Sequence, residues 1–400
     1  MHNGAKINPC TICDFCLYLH PNRIQMSMMA NPFITTGKIP SELFCDRKEE
    51  SKRLLQSLTN GANVVLMSPR RVGKTQLIYY CFDKRAINDN YITIFIDILK
   101  TSTLQEFTYE LGKAVFNTLA TRGQKMQKMV MATMRSMMGK IGFDPATALP
   151  TFGIAIGEIQ NPTYSLEEIF RTLENAGKKC IVAIDEFQQI TNYPEKNIEA
   201  LLRSHIQKMS STQFVFAGSE RHLLEEMFLD SARPFYNSAD IQSLDVIEES
   251  KYSEFVHHQF SINGKGIDEE AVSHVYHVFD GNTYYNQKAM REAFAMTATD
   301  AVCSSDMAGQ VVSLMIKEAD RHYSEILAKL SLPQKELLYA IAKEHRAKQI
   351  TSGIFIRRHS LKSASSVQSS VKKLLEYGLV SVETGTYYIA DQLMRLWLIE

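Results

Sequence analysis

No apolar stretch in this chain of 400 residues approaches the ~20 residues that a membrane-spanning helix needs. The N-terminus also lacks the apolar segment of a secretory signal. Charge of one sign is missing: 44 Lys and Arg balance 44 Asp and Glu. No overall field therefore draws the chain to nucleic acid or to a membrane, and any nucleic-acid surface must be a local patch. A disulfide framework is missing too. Cys10, Cys13 and Cys16 crowd together, while Cys45, Cys81, Cys180 and Cys303 are scattered singly, as in proteins of a reducing compartment. The expected location is cytoplasmic.

What is present is enough apolar sequence, 45% of the chain, for two to three domains with cores of their own. The run Cys10-x2-Cys13-x2-Cys16-x3-His20 has the ligand types and spacing of a zinc or iron–sulfur site. It has no core-forming periodicity, and Met26, Met28 and Met29 follow it. Residues 1–30 are expected to be a disordered leader, or the product of a start codon placed too early, rather than a metal site.

From Asn31 the pattern becomes regular. Asn63–Met67, Tyr91–Ile98, Cys180–Ile184, Gln213–Ala217 and Ile241–Ile247 read as short buried strands separated by helices, among them Leu104–Thr121. That alternation predicts a three-layer α/β sandwich on a parallel sheet. Between Thr121 and Ser165 a Met-rich stretch loosens the pattern and suggests a flexible hairpin or lid packed on the sheet. After Glu248 the strands stop and helices run to about Lys329. From Leu332, helices followed by strands Leu379–Val382 and Tyr387–Ala390 read as a winged helix-turn-helix. The expected domains are 31–247 (sandwich), 248–330 (helical lid) and 331–400 (winged helix).

The chemistry concentrates in three places. Ser68-Pro69-Arg70-Arg71-Val72-Gly73-Lys74-Thr75 fits G-x-x-x-x-G-K-[ST] at every defined position but the first, where Ser replaces Gly. Such a P-loop wraps phosphate in backbone N–H groups at a helix N-terminus. Gly73 leaves room, Lys74 reaches the β- and γ-phosphates and Thr75 ligates Mg²⁺. The strand ending in Asp185-Glu186 sets Asp185 at the Mg²⁺ and Glu186 beside the attacking water. Ser219, just after the strand Gln213–Ala217, is a candidate γ-phosphate sensor. Arg221 and Arg233 are candidates to stabilise developing charge.

With these residues in view, the chain resembles the archaeal-type ATPases of the STAND branch of AAA+ proteins, the MNS-like clade, from about Asn31 to Leu398. The marks are Phe44-Cys45-Asp46-Arg47-x2-Glu50, Ser68–Thr75, Ile184-Asp185-Glu186-Phe187-Gln188, Ala217-Gly218-Ser219, Arg233-Pro234-Phe235-Tyr236 and Tyr388-Ile389-x-Asp391-x5-Trp397-Leu398. The resemblance implies a P-loop NTPase with ATP and Mg²⁺ as cofactors, held by the loop and Gln76, with Asp46 and Arg47 at the adenine. It implies a slow ATPase switch with an unidentified protein partner and ATP-dependent self-assembly. The family's Gly-x-Pro mark in the helical domain survives here as Gly281, with Thr283 in place of the proline. No Asn-Lys-x-Asp guanine reader is present.

An alternative places the function in the winged helix as a DNA-binding module. Arg357, Arg358, His359 and Lys362 precede a helix bearing Gln368, Lys372 and Lys373, a local basic surface for phosphates.

Overall fold

The computed structural model describes residues 31–138, 142–143, 150–151 and 161–400. The leader and its Cys10–His20 cluster lie outside the described residues, as does part of the Met-rich stretch.

Five strands form one sheet in the order Tyr91–Asp97, Lys179–Asp185, Thr212–Gly218, Val64–Met67, Asp240–Ser243, all pairs parallel. Each inner strand is apolar along its length because both faces are covered. Val65, Met67, Val182, Ile184, Phe214 and Phe216 enter one buried cluster, and Val64, Leu66, Ile181, Ala183, Val215 and Ala217 enter the other. The period of two sends successive side chains to opposite faces, so a continuous apolar run is what a two-faced sheet requires. Register aligns the carboxyl ends: Met67 stands beside both Gly218 and Ser243.

The sheet differs from expectation at its edge. The last strand covers only Asp240–Ser243, and Ile241 is exposed on it. The chain then turns away, and Ile247 joins the core of the helical part instead. An edge strand paired on one side only has less to hold it in the sheet. The Met-rich stretch is also more regular than it reads. Gln124–Met138 is a helix packed against the helices Leu104–Ala120 and Pro162–Glu174, with Val130 fully buried. A short antiparallel pair, Gly142–Phe143 with Pro150–Thr151, follows it.

Helices Glu249–Ile262, Glu269–Val278, Thr283–Met296 and Ser305–Ala328 make the helical part. The strands do not quite stop there, because Gly266–Ile267 pairs with Val302–Cys303. Phe33 of the lead is buried in this helical core, edge-on to Phe255 and close to Phe260 and Phe294. In the winged helix, Leu332–Glu344, Gly353–Arg358 and Ala364–Glu376 precede the hairpin Val380–Glu383 and Thr386–Ile389. Ala347–Lys348 adds a third strand, and the helix Gln392–Ile399 closes the chain against Ser305–Ala328. The buried residues of the helical and winged-helix parts run together in one cluster. Among the described residues no helix is long and apolar enough to cross a membrane.

Candidate functional site

The site grows from the carboxyl end of Val64–Met67. Ser68 is buried, and its N–H donates to the Gly218 carbonyl at 3.3 Å, tying the start of the loop to the neighbouring strand. The loop then climbs to the helix Lys74–Phe82. Gly73 takes φ 94° just before that helix, a left-handed conformation that L side chains rarely adopt. No atom lies within 4 Å of where its Cβ would stand, so the backbone, rather than crowding within the protein, is what requires glycine there. No side chain caps this helix, so the N–H groups of its first turn are open to an anion.

Lys74 is buried between Asp185, which ends the Lys179–Asp185 strand, and Glu186, which follows it. Its Nζ lies 2.8 Å from Asp185 Oδ1 and 3.2 Å from Glu186 Oε1. Thr75 Oγ1 donates to Asp185 Oδ2 at 2.6 Å. Ser219 Oγ donates to Glu186 Oε2 at 2.8 Å, and its strand lies between the loop strand and the acidic strand. Burial pushes the Glu186 carboxyl up, but Lys74, Gln188 and Ser219 outweigh it and hold the group below its ordinary value. Glu186 is therefore a carboxylate at neutral pH. Its backbone is left-handed, φ 55°, at the turn from strand to the short helix Phe187–Asn192.

Gln188 is a residue for which the sequence reading gave no role. The Phe187–Asn192 turn brings its Nε2 back to Glu186 Oε2 at 2.6 Å, with the side chain almost wholly buried. Gly218 makes that path available, because a Cβ there would stand 2.1 Å from Gln188 Oε1. The signal was an amide two positions after the acid, at a place where apolar packing asks for none.

The remaining expected residues divide by what they touch. Asp46 and Arg47 are both left-handed, at φ 52° and 64°. The Arg47 guanidinium is buried, bonding Glu50 at 2.9 Å and the Val72 carbonyl at 3.1 Å, so it supports the loop from below. Gln76 ties the lead, accepting from Ile39 N–H and donating to the Gly37 carbonyl. Pro69 and Arg70 are exposed, and Arg70 Nε reaches Ser219 Oγ at 3.4 Å. Arg71 turns outward to Tyr285 and Asp391. Arg221 pairs with Glu225 on its own helix and, at 3.6 Å, with Glu383 in the wing. Arg233 bridges Glu199 and Glu226, neither of which belongs to the loop. The segment with Thr283 in place of proline does reach the loop: Thr283 Oγ1 donates to the Val72 carbonyl at 3.4 Å and Tyr284 N–H to the Arg71 carbonyl at 3.1 Å.

A parallel sheet with a strand–loop–helix of this shape, and acids on a nearby strand, defines a P-loop NTPase, here with a winged helix at its C-terminal end. Residues 44–288 match the family described as an ATPase domain predominantly from Archaea, and residues 321–400 match a probable winged helix domain. The chain belongs to that ATPase family. It is similar to an uncharacterized ATP-binding protein of Methanocaldococcus jannaschii, at 22% identity over 325 residues, covering 76% of this chain and 84% of the relative. The Walker-type ATPase of Pyrococcus abyssi has the same fold, with TM-score 0.63 and 20% identity over 92% of this chain and 100% of that one. So does the Aeropyrum pernix ORC2 protein, solved in ADPNP–ADP complexes, with TM-score 0.57 and 15% identity over 92% and 95%.

Proposed function

We propose that the protein binds ATP with Mg²⁺ at Ser68–Thr75 and hydrolyses it slowly, as a cytoplasmic nucleotide-controlled switch of STAND/AAA+ type. One observation carries this reading. Lys74, Thr75, Asp185, Glu186 and Ser219 form a single hydrogen-bonded network at the uncapped N-terminus of the Lys74–Phe82 helix. The adenine nucleotides held by the Aeropyrum pernix protein, and the ATP-binding description of the Methanocaldococcus relative, support the choice of ligand.

Thr75 Oγ1 and Asp185 Oδ2 are hard oxygen donors that suit Mg²⁺, which takes few protein oxygens when phosphate and water complete its shell. Once bound, the ion neutralises charge on the phosphate oxygens. Lys74 exchanges its two carboxylates for the β- and γ-phosphates. Glu186, still held by Gln188 and Ser219, orients a water and takes its proton. The water oxygen bonds to the γ-phosphorus as the bond to the bridging oxygen breaks, and ADP leaves with that electron pair. Arg70 and Arg221, on the loop and beside Ser219, are the nearer candidates for charge on the γ-phosphate. The ion pairs of Arg233 support a structural part for it instead.

Turnover with Mg²⁺, measured beside Lys74→Ala and Glu186→Gln, tests the reading. Both variants should lose hydrolysis, and Glu186→Gln alone should keep ATP. Wild-type protein that binds ATP without turnover would leave a scaffold and remove the enzyme.

DNA binding is the second reading, and exposed Arg357, Lys362, Gln368 and Lys372 favour it. Other contacts weigh towards an internal lid. Arg358 and His359 are paired with Glu344, Lys373 with Glu376, and the wing's Glu383 faces Arg221. Salt-sensitive binding to duplex DNA would restore the DNA role, and no binding at low salt would end it.

A further inference from the structure

The winged helix also holds the loop, at Arg71. Arg71 takes φ 67°, a left-handed conformation that costs a non-glycine residue about 1–2 kcal/mol and persists only where its surroundings impose it. Three side chains from two other parts of the molecule do so. Arg71 Nη1 donates to Tyr285 Oη and, at 2.9 Å, to Asp391 Oδ2. Its guanidinium also lies 5.1 Å and 5.2 Å from the ring centres of Tyr284 and Tyr285. Asp391 is itself fixed, because Oδ1 accepts the N–H groups of Leu393 and Met394 at the start of the last helix. The same oxygen accepts the hydroxyls of Tyr285 and Tyr323. Burial, with the Asp391 carboxylate beside them, pushes both phenols up, so both stay protonated donors.

The carbonyls of the loop complete the pattern. Those of Arg70, Arg71 and Val72 accept from Asn282 Nδ2, Tyr284 N–H and Thr283 Oγ1, all at one helix N-terminus. In a planar trans peptide the N–H points opposite to the carbonyl. Tying these three carbonyls down on the helical side turns the N–H groups of Arg71, Val72 and Gly73 the other way. That is the concave array an anion needs.

We propose that Asp391 is a positioning residue of the nucleotide site, acting through Arg71 to keep the Ser68–Thr75 loop in its phosphate-binding shape. The proposal rests on the reading that this loop binds ATP. It makes the seated winged helix a component of the site. By linkage, lifting the winged helix weakens ATP binding, and bound ATP strengthens the seating by the same factor. Two further contacts lie on the same side. Glu383 of the wing meets Arg221, and Arg70 Nη1 comes within 3.5 Å of where a Gly378 Cβ would stand.

The test is displacement of a fluorescent ATP analogue by ATP from the full chain, with the melting temperature and turnover at saturating ATP recorded alongside. Asp391→Asn keeps a side chain able to cap the last helix and removes the charge. It should bind ATP about tenfold more weakly, the scale of a lost charge-assisted bond, with turnover at saturation kept. Arg71→Ala, on an exposed loop residue, should weaken binding similarly, and the double variant no further than the weaker single. Wild-type affinity in both singles, tighter binding in either, or losses that multiply in the double would overturn the proposal. If wild type itself fails to bind ATP, the nucleotide reading falls and takes this one with it. If wild type binds and Asp391→Asn matches it, only the positioning role falls.

Discussion

Two cations of one loop are held in opposite ways. Lys74 pairs with Asp185 inside the sheet unit, the side chains 7% and 6% exposed. Arg71 pairs with Asp391 across 320 residues of chain, at 46% and 27% exposure. A buried pair resists separation because either partner left alone is an unsolvated charge, so Lys74 can leave Asp185 only for another anion such as phosphate. A half-exposed pair exchanges readily with water and is worth little by itself. The inner side of the loop is therefore built for chemistry. Its outer side is built to be made and broken.

The inner side should break hardest. Lys74→Ala should abolish ATP binding and turnover together, read by displacement and phosphate release. Glu186→Gln should lower turnover by about 10²–10⁴-fold with affinity kept, the usual weight of a positioned base. Gly218→Ala would drive a Cβ into Gln188, so it should cost about 1–3 kcal/mol of stability and lower turnover as Glu186 loses its partner. A melting curve with a turnover assay separates these effects.

Acidity sharpens the comparison further. Glu186 is held below its ordinary 4.5 in the folded protein, so the stability its contacts give is present above 4.5 and fades as pH falls through the lowered value. The acid limb of the kcat/KM profile, which reports the free protein, should lie below 4.5 for the same reason, and Gln188→Leu should move it upward. A limb already falling near neutrality would remove Glu186 as the base. The smallest effect belongs to the outer pair. Raising salt towards 1 M, where the Debye length shrinks to about 3 Å, should weaken ATP binding less in Asp391→Asn than in wild type.

Much of the sheet unit was legible because its signals are local. An apolar run covered on both faces, a glycine before a helix and an acid at a strand end each sit within a few residues of sequence. The edge strand is shorter than its apolar run suggests: Leu244 N–H still donates to the Met67 carbonyl at 2.8 Å, but Ile247 is buried in the core of the helical part, away from the sheet. Two-residue strands such as Ala347–Lys348 carry no period to read. The role of Gln188 is not legible in its motif, because only the turn after Glu186 brings it back to the acid. Arg71, Tyr285 and Asp391 were hardest of all. Their meeting depends on how the last helix packs on Ser305–Ala328, which no spacing in the chain encodes. The ion pairs of Arg221 and Arg233 were likewise invisible, and an arginine near a sensor strand reads the same whether it serves phosphate or a neighbouring glutamate.

The single tryptophan offers the most direct measurement. Trp397 lies on the final helix, which Asp391 caps, and donates to Asp320 at 2.9 Å with the Tyr323 ring 5.6 Å away. Its fluorescence should change saturably as Mg²⁺ and ATP are added to wild type, and should stay flat in Lys74→Ala. That outcome is expected if the nucleotide site and the winged helix act as one switch. A flat response in wild type, under conditions where ATP is shown to bind, would contradict it.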